Sequence, residues 1–320
     1  MSIQILINHY HESAEIVGRL LRSIDEQIGV QNGSFDVLLY SDGSDVPLSD
    51  YFLSQFSFPV TRKVLEHRGV CATRNALLDD ATAEWVMFCD ADDCFHSSLG
   101  LYRLFKAAND LSVDIIGSPY EKETLSDNSF IYTSMQRDTI RVHGKIFRRQ
   151  YLVDNNIRFP DELPYSGDMY FLWQAYNLKQ NYAWMRESFY LWKYNPDSVT
   201  RKDPFARLKT YPLMLRNYEL LAENLLERER TDLFDILAAS TICMVYLNAT
   251  NEDFMDGPQD YQASAMSAIV SFVQRFGDTA ASLPRDILQA HYESALRLHQ
   301  EGANSKGFDG LLDWIREFQT

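Results

Sequence analysis

One short segment settles the architecture of this chain: Trp85-Val86-Met87-Phe88-Cys89-Asp90-Ala91-Asp92-Asp93. Its first five residues are apolar without alternation, which is the pattern of a strand in a sheet covered on both faces. Acids follow this strand at once. Ligands of open α/β sheets bind beyond the carboxyl ends of the strands, so we expect these acids to line a site. The alternative interpretation of the acids is a solvated turn.

The segments around this strand alternate between strand and helix patterns. The predicted elements are strands at 2–7, 35–40 and 60–65 and helices from about 14, 72 and 98. This alternation predicts an α/β fold with a mostly parallel, Rossmann-like sheet flanked by helices. Two further apolar runs, 113–117 and 130–133, are predicted to extend the sheet.

The secondary-structure pattern of the sequence changes after residues 201–204. Turn signals become rare, and long stretches of helical period follow from about 208, 232, 261 and 285. We therefore predict an α/β domain over residues 1–204 and a C-terminal α-helical subdomain over residues 205–320.

The composition of the chain limits the classes of partner that we expect it to bind and the compartment in which we expect it. A net charge of −15 disfavours nucleic acid and anionic lipid, because both are bound through Lys and Arg. The opening residues lack the pattern of a secretory signal, and the apolar run 233–247 is too short for a membrane span, so we predict no integral membrane segment. The cysteines show neither zinc spacing nor a disulfide framework, which favours a reducing cytoplasm.

Acids recur at the predicted site. Asp42 follows the second strand, Asp90, Asp92 and Asp93 follow the segment quoted above, and Asp168 comes later in the chain. Carboxylates gathered in one place repel one another unless a cation or substrate offsets their charge. Hard Mg²⁺ or Mn²⁺ binds carboxylate oxygens together with substrate phosphates, so one of these ions is the expected cofactor.

An ordered set of motifs resembles a family-2 glycosyltransferase of the GT-A fold over about residues 1–201. The motifs are Ser41-Asp42-Gly43-Ser44, Gly69-Val70-Cys71-Ala72-Thr73-Arg74-Asn75-Ala76, Phe88-Cys89-Asp90-Ala91-Asp92-Asp93, Gly144-Lys145-Ile146-Phe147-Arg148-Arg149 and Gly167-Asp168. A DxD motif alone is weak evidence. The resemblance rests on several motifs that match in both order and spacing.

The resemblance implies a role for each matching residue. Asp42 would bind the nucleotide base, typically uracil, while Arg74 and Asn75 lie along the diphosphate. Asp92, assisted by Asp90, would hold the metal. The implied donor-binding set is Asn8, Tyr10, Glu12, Asp42, Arg74, Asn75, Asp90, Ala91, Asp92 and Arg201, the implied metal set is Asp92, Asp90 and His143, and the implied general base is Asp168.

The predicted function is therefore metal-dependent transfer of a sugar, of the hexosyltransferase type, from a nucleotide-sugar to an acceptor hydroxyl. A UDP-sugar is favoured as donor. One candidate base without a nucleophile beside it favours a single inverting displacement. The Gln-x-x-Arg-Trp element of processive synthases is absent after Asp168, so transfer is expected to be non-processive. The alternatives are a nucleotidyltransferase and a non-catalytic sugar-nucleotide-binding protein.

Several residues depart from the family pattern or have a structural alternative. Gly167 replaces a glutamate that often precedes the catalytic aspartate. Asp168 itself has the alternative role of helix N-cap, and Asp42 that of a helix cap or an Asx turn. His143 is an ordinary loop histidine in the alternative interpretation. The aromatic residues of 190–201 belong either to a flap over the donor or to the core.

The helical tail is predicted to shape the acceptor site or an oligomer interface. Its acids outnumber its bases, which again disfavours nucleic acid. A glycan, a glycolipid and a protein all remain acceptor classes, and a homo-oligomer is one assembly that the tail would serve.

Overall fold

A computed structural model describes residues 1–31, 33–46, 48–163, 167–196, 203–298 and 307–318 of the chain. The chain forms two compact units, Met1–Asn195 and Pro196–Thr320. The boundary predicted from sequence texture lies between residues 204 and 205, a little further along the chain.

The strands and helices of the first unit alternate through most of its length. The strands are β1 (Ile3–His9), β2 (Phe35–Asp42), β3 (Val60–Leu65), β4 (Trp85–Asp90), β5 (Cys94–Phe95), β6 (Ile115–Gly117), β7 (Tyr120–Ser126), β8 (Ser129–Met135), β9 (Lys145–Arg148), β10 (Tyr182–Trp184) and β11 (Tyr190–Trp192). The helices are α1 (Ala14–Asp25), α2 (Asp50–Leu53), α3 (Val70–Asp80), α4 (Gly100–Asp110), α5 (Arg149–Asp154) and α6 (Asp168–Asn177).

The large sheet has seven strands in the order β10-β6-β9-β4-β1-β2-β3. Its strands pair in parallel except for β9, which runs antiparallel between β4 and β6. The register of β1 places Asn8 beside Asp90 of β4 on one side and Tyr40 of β2 on the other. The carboxyl ends of these central strands therefore meet at one edge, as the α/β prediction requires.

Strand β4 lies in the middle of two hydrophobic clusters. Trp85, Met87 and Cys89 pack in one cluster, while Val86 and Phe88 pack in the other, and all five side chains are fully buried. Helix α1 contributes to the first cluster and α3 to the second, so helices cover both faces of the sheet. The sequence of β4 is apolar without alternation because both faces of the strand are covered.

A second sheet corrects one prediction about the strands. Within the run 113–117, residues 115–117 join the large sheet as β6, but residues 130–133 do not extend it. They belong to β8, the edge of a four-stranded sheet ordered β5-β11-β7-β8. Strands β7 and β8 form an antiparallel hairpin whose turn residues Asp127 and Asn128 both have positive φ, which commits β8 to its neighbour in the chain.

The second unit is helical, as predicted. Its helices are α7 (Ala206–Lys209), α8 (Tyr211–Glu227), α9 (Thr231–Ala249), α10 (Glu252–Met255), α11 (Gln259–Ala281), α12 (Arg285–Leu298) and α13 (Gly307–Glu317). Within the described ranges, α9 alone is long and apolar enough to cross a membrane, by length and composition only. Most of its apolar stretch is buried among the other helices, which is also how the core helix of a globular unit behaves.

Met87 offers a test of the central strand. We expect Met87→Ala to lower the free energy of unfolding by ~2–5 kcal/mol, because the cavity lies in a fully buried strand between packed layers. Urea unfolding followed by tryptophan fluorescence measures the change. Ile131→Ala, on the exposed face of β8, is the matched control and should cost less than ~1 kcal/mol. Equal effects of the two substitutions would contradict the layered core.

Candidate active site

The guanidinium of Arg74 joins three elements at the strand ends. It projects from α3 and is almost fully buried. Its Nη2 donates to Asp90 Oδ1 at 2.7 Å, its Nη1 donates to Asp168 Oδ1, and its Nε donates to Asn8 Oδ1 at 3.3 Å. Residues from β1, β4 and α6 thus meet at one side chain.

This cluster keeps its charges despite burial. Burial lowers the pKa of Arg74, but the carboxylates of Asp168 and Asp90 raise it by more, so the net shift is upward. Burial raises the pKa of Asp90, but the charge and hydrogen bond of Arg74, the neighbouring His143 and the hydrogen bond of Asn8 together bring it below the usual value. Two carboxylates against one guanidinium leave this part of the site acidic, which suits a cation.

Asp168 is the first residue of α6, and Gly167 is the N-cap. The carboxylate of Asp168 reaches outside its own helix, because its Oδ2 accepts a hydrogen bond from Val142 N at 3.1 Å. The interpretation of Asp168 as a helix cap is therefore not supported.

Close packing explains why residue 167 is a glycine. A Cβ there would lie 2.5 Å from Cys71 Sγ and 2.8 Å from Pro160 Cδ. The glutamate expected at this position does not fit.

The acids after β4 differ in their surroundings. Asp92 Oδ2 accepts a hydrogen bond from Asn195 Nδ2 at 2.8 Å, and burial followed by the charge of Asp90 raises the pKa of Asp92. Asp93 is fully buried and accepts hydrogen bonds from Tyr190 Oη at 2.6 Å and Lys193 N at 2.9 Å. Burial and the neighbouring acids raise the pKa of Asp93 well above its ordinary value.

The structure brings Asp90 and His143 together, but with Asp93 as the third member. Ligand atoms of these three residues lie within 4.8 Å of one another. His143 Nδ1 is 3.6 Å from Asp93 Oδ2, too far for a hydrogen bond, and it has no hydrogen-bond partner among the described residues. Asp92 stands apart from this group, so its role as metal ligand stays a prediction.

His143 is not an ordinary surface-loop histidine. It is buried, with its ring centroid 5.3 Å from the rings of both Tyr190 and Trp192 in stacked geometry. Burial lowers its pKa to about 4, so the imidazole is neutral at physiological pH. A neutral ring with an unpartnered nitrogen is the form that binds a metal ion. Tyr190 and Trp192 therefore pack around the site instead of forming an open flap.

Asp42 organises the loop before α3. Its carboxylate accepts hydrogen bonds from Arg68 N at 2.8 Å and Gly69 N at 3.0 Å, and it lies 3.0 Å from His67 Nδ1. Tyr10 stacks on His67 with a centroid distance of 4.7 Å. Asp42 thus has a structural role, but its partners lie 26 and 27 residues further along the chain and form neither an Asx turn nor a helix cap. Its contact with a base stays a prediction. Arg68 also borders a cavity of about 260 Å³.

The other predicted donor-binding residues fall into three groups. Asn75 exchanges hydrogen bonds of 2.9 Å with the backbone of Phe159 and donates to Asp161 Oδ1 at 2.7 Å, which gives it a structural task. Glu12 accepts a hydrogen bond from Tyr10 N at 2.6 Å, and Ala91 is buried. Arg201 lies outside the described residues.

Sequence reasoning missed several residues that hold this site together. Arg19 donates to the backbone oxygen of Asp92, and Asn195 donates to the carboxylate of Asp92. Lys145 is fully buried, and burial lowers its pKa to about 8. The one signal for Lys145 was its place in the motif after Gly144, which gives no hint of burial.

Comparison with known families decides the assignment. The model of "Glycosyl transferase family 2" matches residues 4–169, more than half of the chain. The chain belongs to glycosyl transferase family 2. The predicted family and enzyme class, a glycosyltransferase, are confirmed. The matched residues contain Arg74, Asp90 and Asp168, which form the cluster described above.

A curated relative and solved structures agree with this family. Poly(ribitol-phosphate) beta-N-acetylglucosaminyltransferase TarS of Staphylococcus aureus is 25% identical over 196 residues, which cover 55% of this chain and 32% of TarS. The chain thus spans about a third of the length of this relative. The structure of TarS 1–349 with UDP-GlcNAc aligns with a TM-score of 0.70 at 19% identity, covering 100% of this chain and 88% of that one. The structure of TarS 1–349 with UDP aligns with a TM-score of 0.62 at 18% identity, covering 100% of this chain and 88% of that one. These likenesses confirm the GT-A fold.

Arg74 gives a test of the ion cluster. We expect Arg74→Met to lower the free energy of unfolding at pH 7.5 by ~3–5 kcal/mol, because it leaves two partly buried carboxylates without their buried partner. The depressed pKa of Asp90 contributes stability above the unfolded value near 3.9, and this is lost as pH falls. The difference should therefore keep nearly its full size down to about pH 4 and shrink as the pH falls further. Thermal melts across this range measure it.

The matched control for Arg74 is Arg62→Met, which removes an exposed pair with Asp50 and should cost at most ~1 kcal/mol. A loss at Arg74 that is no larger than at Arg62, or that does not change with pH, would contradict the buried ion cluster.

Glu12 gives a test of the acidic field. Burial raises its pKa from 4.5 to about 7, and the charges of Asp92 and Asp90 add to this. The folded protein therefore loses stability as pH rises from about 4.5 to 7. In this range the unfolded chain has released the proton of Glu12, whereas the folded protein still holds it. Glu12→Gln should remove this slope and gain on the order of 3 kcal/mol at pH 7.5, at about 1.4 kcal/mol per pKa unit.

Thermal melts with chelator from pH 4.5 to 8 measure the effect of Glu12→Gln. Glu15→Gln, exposed in the first turn of α1, is the control and should leave the slope in place. Parallel stability curves for wild type and Glu12→Gln would show that Glu12 is not protonated in the folded protein.

Proposed function

We propose that this glycosyltransferase moves one sugar from a UDP-sugar to an acceptor hydroxyl in a metal-dependent, inverting and non-processive reaction. The observation that carries the proposal is the Arg74 cluster. Its guanidinium bonds the candidate base Asp168 on one side and the donor-site acid Asp90 on the other. Base and donor acids therefore lie within reach of one bound sugar.

The choice of a UDP-sugar is supported from two directions. TarS has been solved with UDP-GlcNAc and with UDP, and its first 349 residues share the fold of this chain. At the base end of the proposed donor site, Tyr10 and His67 stack beside Asp42, and Tyr10 is 43% exposed. An exposed aromatic ring beside a hydrogen-bonding carboxylate is suited to a nucleobase.

Mn²⁺ or Mg²⁺ fits the donor set. Asp90, Asp93 and His143 offer carboxylate oxygens and a neutral ring nitrogen that lacks a partner among the described residues. Asp92 and Asp90 form the DxD pair that the family resemblance assigns to the ion. A divalent ion bound there would neutralise the charge that develops on the leaving diphosphate.

Asp168 supplies the proton acceptor in this proposal. The acceptor hydroxyl attacks the anomeric carbon, its proton passes to the carboxylate of Asp168, and the bond between that carbon and the diphosphate oxygen breaks. Val142 N and Arg74 hold the carboxylate in place. A single displacement inverts the anomeric configuration.

The remaining parts of the proposal concern the acceptor and the setting. We propose a glycan, a glycolipid or a protein as acceptor, and a task in acceptor binding or self-association for the helical unit. The relative TarS is named for a poly(ribitol-phosphate) acceptor. A cytoplasmic location and a homo-oligomer are part of the same proposal.

Two variants separate the proposed base from the donor site. Asp168→Asn keeps the shape of the side chain but cannot take the proton, so we expect turnover to fall ~10²–10⁴-fold with donor affinity within ~3-fold of wild type. Asp92→Ala should weaken both donor binding and turnover. Calorimetric titration of UDP-GlcNAc with Mn²⁺ and a coupled UDP-release assay measure these two quantities.

Asp154→Asn, on the exposed end of α5, is the matched control and should behave as wild type. Near-normal turnover of Asp168→Asn would move the base elsewhere, with Asp93 and Glu162 next. Equal UDP affinity with and without chelator would remove the metal from the proposal, and a product of retained configuration would remove the single displacement.

A further inference from the structure

Lys145 is a fully buried ammonium group at the start of β9. Its Nζ donates to the carbonyl oxygen of Arg141 at 2.6 Å and to that of His143 at 3.1 Å. A buried charge is costly unless hydrogen bonds satisfy it, so these two carbonyls are the local reason for its place. Both belong to the short segment that passes beside the candidate base.

The amide between those carbonyls binds the candidate base. Val142 N donates to Asp168 Oδ2 at 3.1 Å. The carbonyl of Arg141 and the N–H of Val142 belong to one planar peptide group, and in a trans peptide they point in opposite directions. Lys145 thus holds one end of this peptide while Asp168 binds the other. A charge-assisted bond to the carbonyl polarises the peptide and strengthens the N–H as a donor.

The peptide is anchored on both sides along the chain. Before it, Asp138 Oδ1 accepts hydrogen bonds from Ile140 N at 2.6 Å and Arg141 N at 3.1 Å. After it, Gly144 has φ +65°, and its carbonyl accepts hydrogen bonds from Ser118 N at 2.9 Å and Ser118 Oγ at 3.1 Å. The orientation of the peptide is therefore fixed by its surroundings and by Lys145.

We propose that Lys145 is a positioning residue for Asp168: it binds and polarises the Arg141–Val142 peptide, which directs the carboxylate toward the acceptor hydroxyl. The inference rests on the proposed role of Asp168 as general base. Lys145 does not touch the substrate in this proposal and acts only through the peptide.

Lys145→Met tests the proposal, because it keeps the length of the side chain and removes its donors. We expect turnover to fall ~10–100-fold while UDP-GlcNAc affinity with Mn²⁺ stays within ~3-fold, since only the proton transfer loses its geometry. Hydrogen exchange of the Val142 amide should become at least ~10-fold faster. Lys145→Arg, which keeps charge and donors, should recover part of the turnover.

The matched control is Ile146→Ala, the next residue on β9, whose side chain packs in the core cluster of Met87. It destabilises the same strand without touching the peptide, so turnover of the folded variant should stay within ~3-fold of wild type. Equal losses of turnover in Lys145→Met and Ile146→Ala would mean that Lys145 serves stability alone and would overturn the proposal.

A double mutant separates this inference from the proposed function. In an Asp168→Asn background, Lys145→Met should cause no further loss of turnover, because both act on one step. Slow Asp168→Asn with normal Lys145→Met overturns the inference and leaves the function standing. Normal turnover of Asp168→Asn overturns both.

Ser118→Ala keeps the proposal testable if Lys145→Met does not fold. It removes the hydroxyl hydrogen bond to Gly144 O and loosens the same turn. We expect faster exchange of the Val142 amide and a ~3–10-fold loss of turnover with normal donor affinity. Unchanged exchange and turnover in Ser118→Ala would count against the peptide as the link to Asp168.

Discussion

The site depends on one buried guanidinium between carboxylates. Arg74 presents three nitrogens in a fixed plane, and three different elements of the fold supply their acceptors. A lysine would offer a single point charge and could not hold three acceptors in that geometry. Removing the charge would leave the acids to repel one another at the end of the sheet. The strand ends therefore come together as an ionic assembly as much as by hydrophobic packing.

The sheet and the ion cluster constrain each other. Strand β4 is fixed by packed side chains on both faces, so the acids at its end have little freedom to move apart. The neutral, caged His143 faces the same acids from a separate loop. A fixed acidic pocket of this kind fits the proposed divalent cation, because its carboxylates would need little reorganisation to bind the ion.

Short patterns in the sequence predicted the features that neighbouring residues determine, namely the buried strand and the helices. The apolar run before Asp90 indicated a buried strand, and the helical period after residue 205 indicated the second unit. The ion pair of Arg74 and Asp168 joins residues 94 positions apart, so no short pattern records it. The burial of Lys145 depends in the same way on carbonyls supplied by a folded loop. Residues 130–133 read as a strand of the large sheet, but the hairpin turn decided their partner.

The tight fit at Gly167 has an evolutionary consequence. The space that a side chain would need there is occupied by the sulfur of Cys71 and the ring of Pro160. A lineage that acquired a glutamate at this position would first need a smaller neighbour on α3 or a shifted proline. Substitutions at 167 and 71 should therefore be inherited as a pair, and each alone should be selected against. Coupled change at these two sites would mark a branch of the family that had rebuilt the entrance to α6.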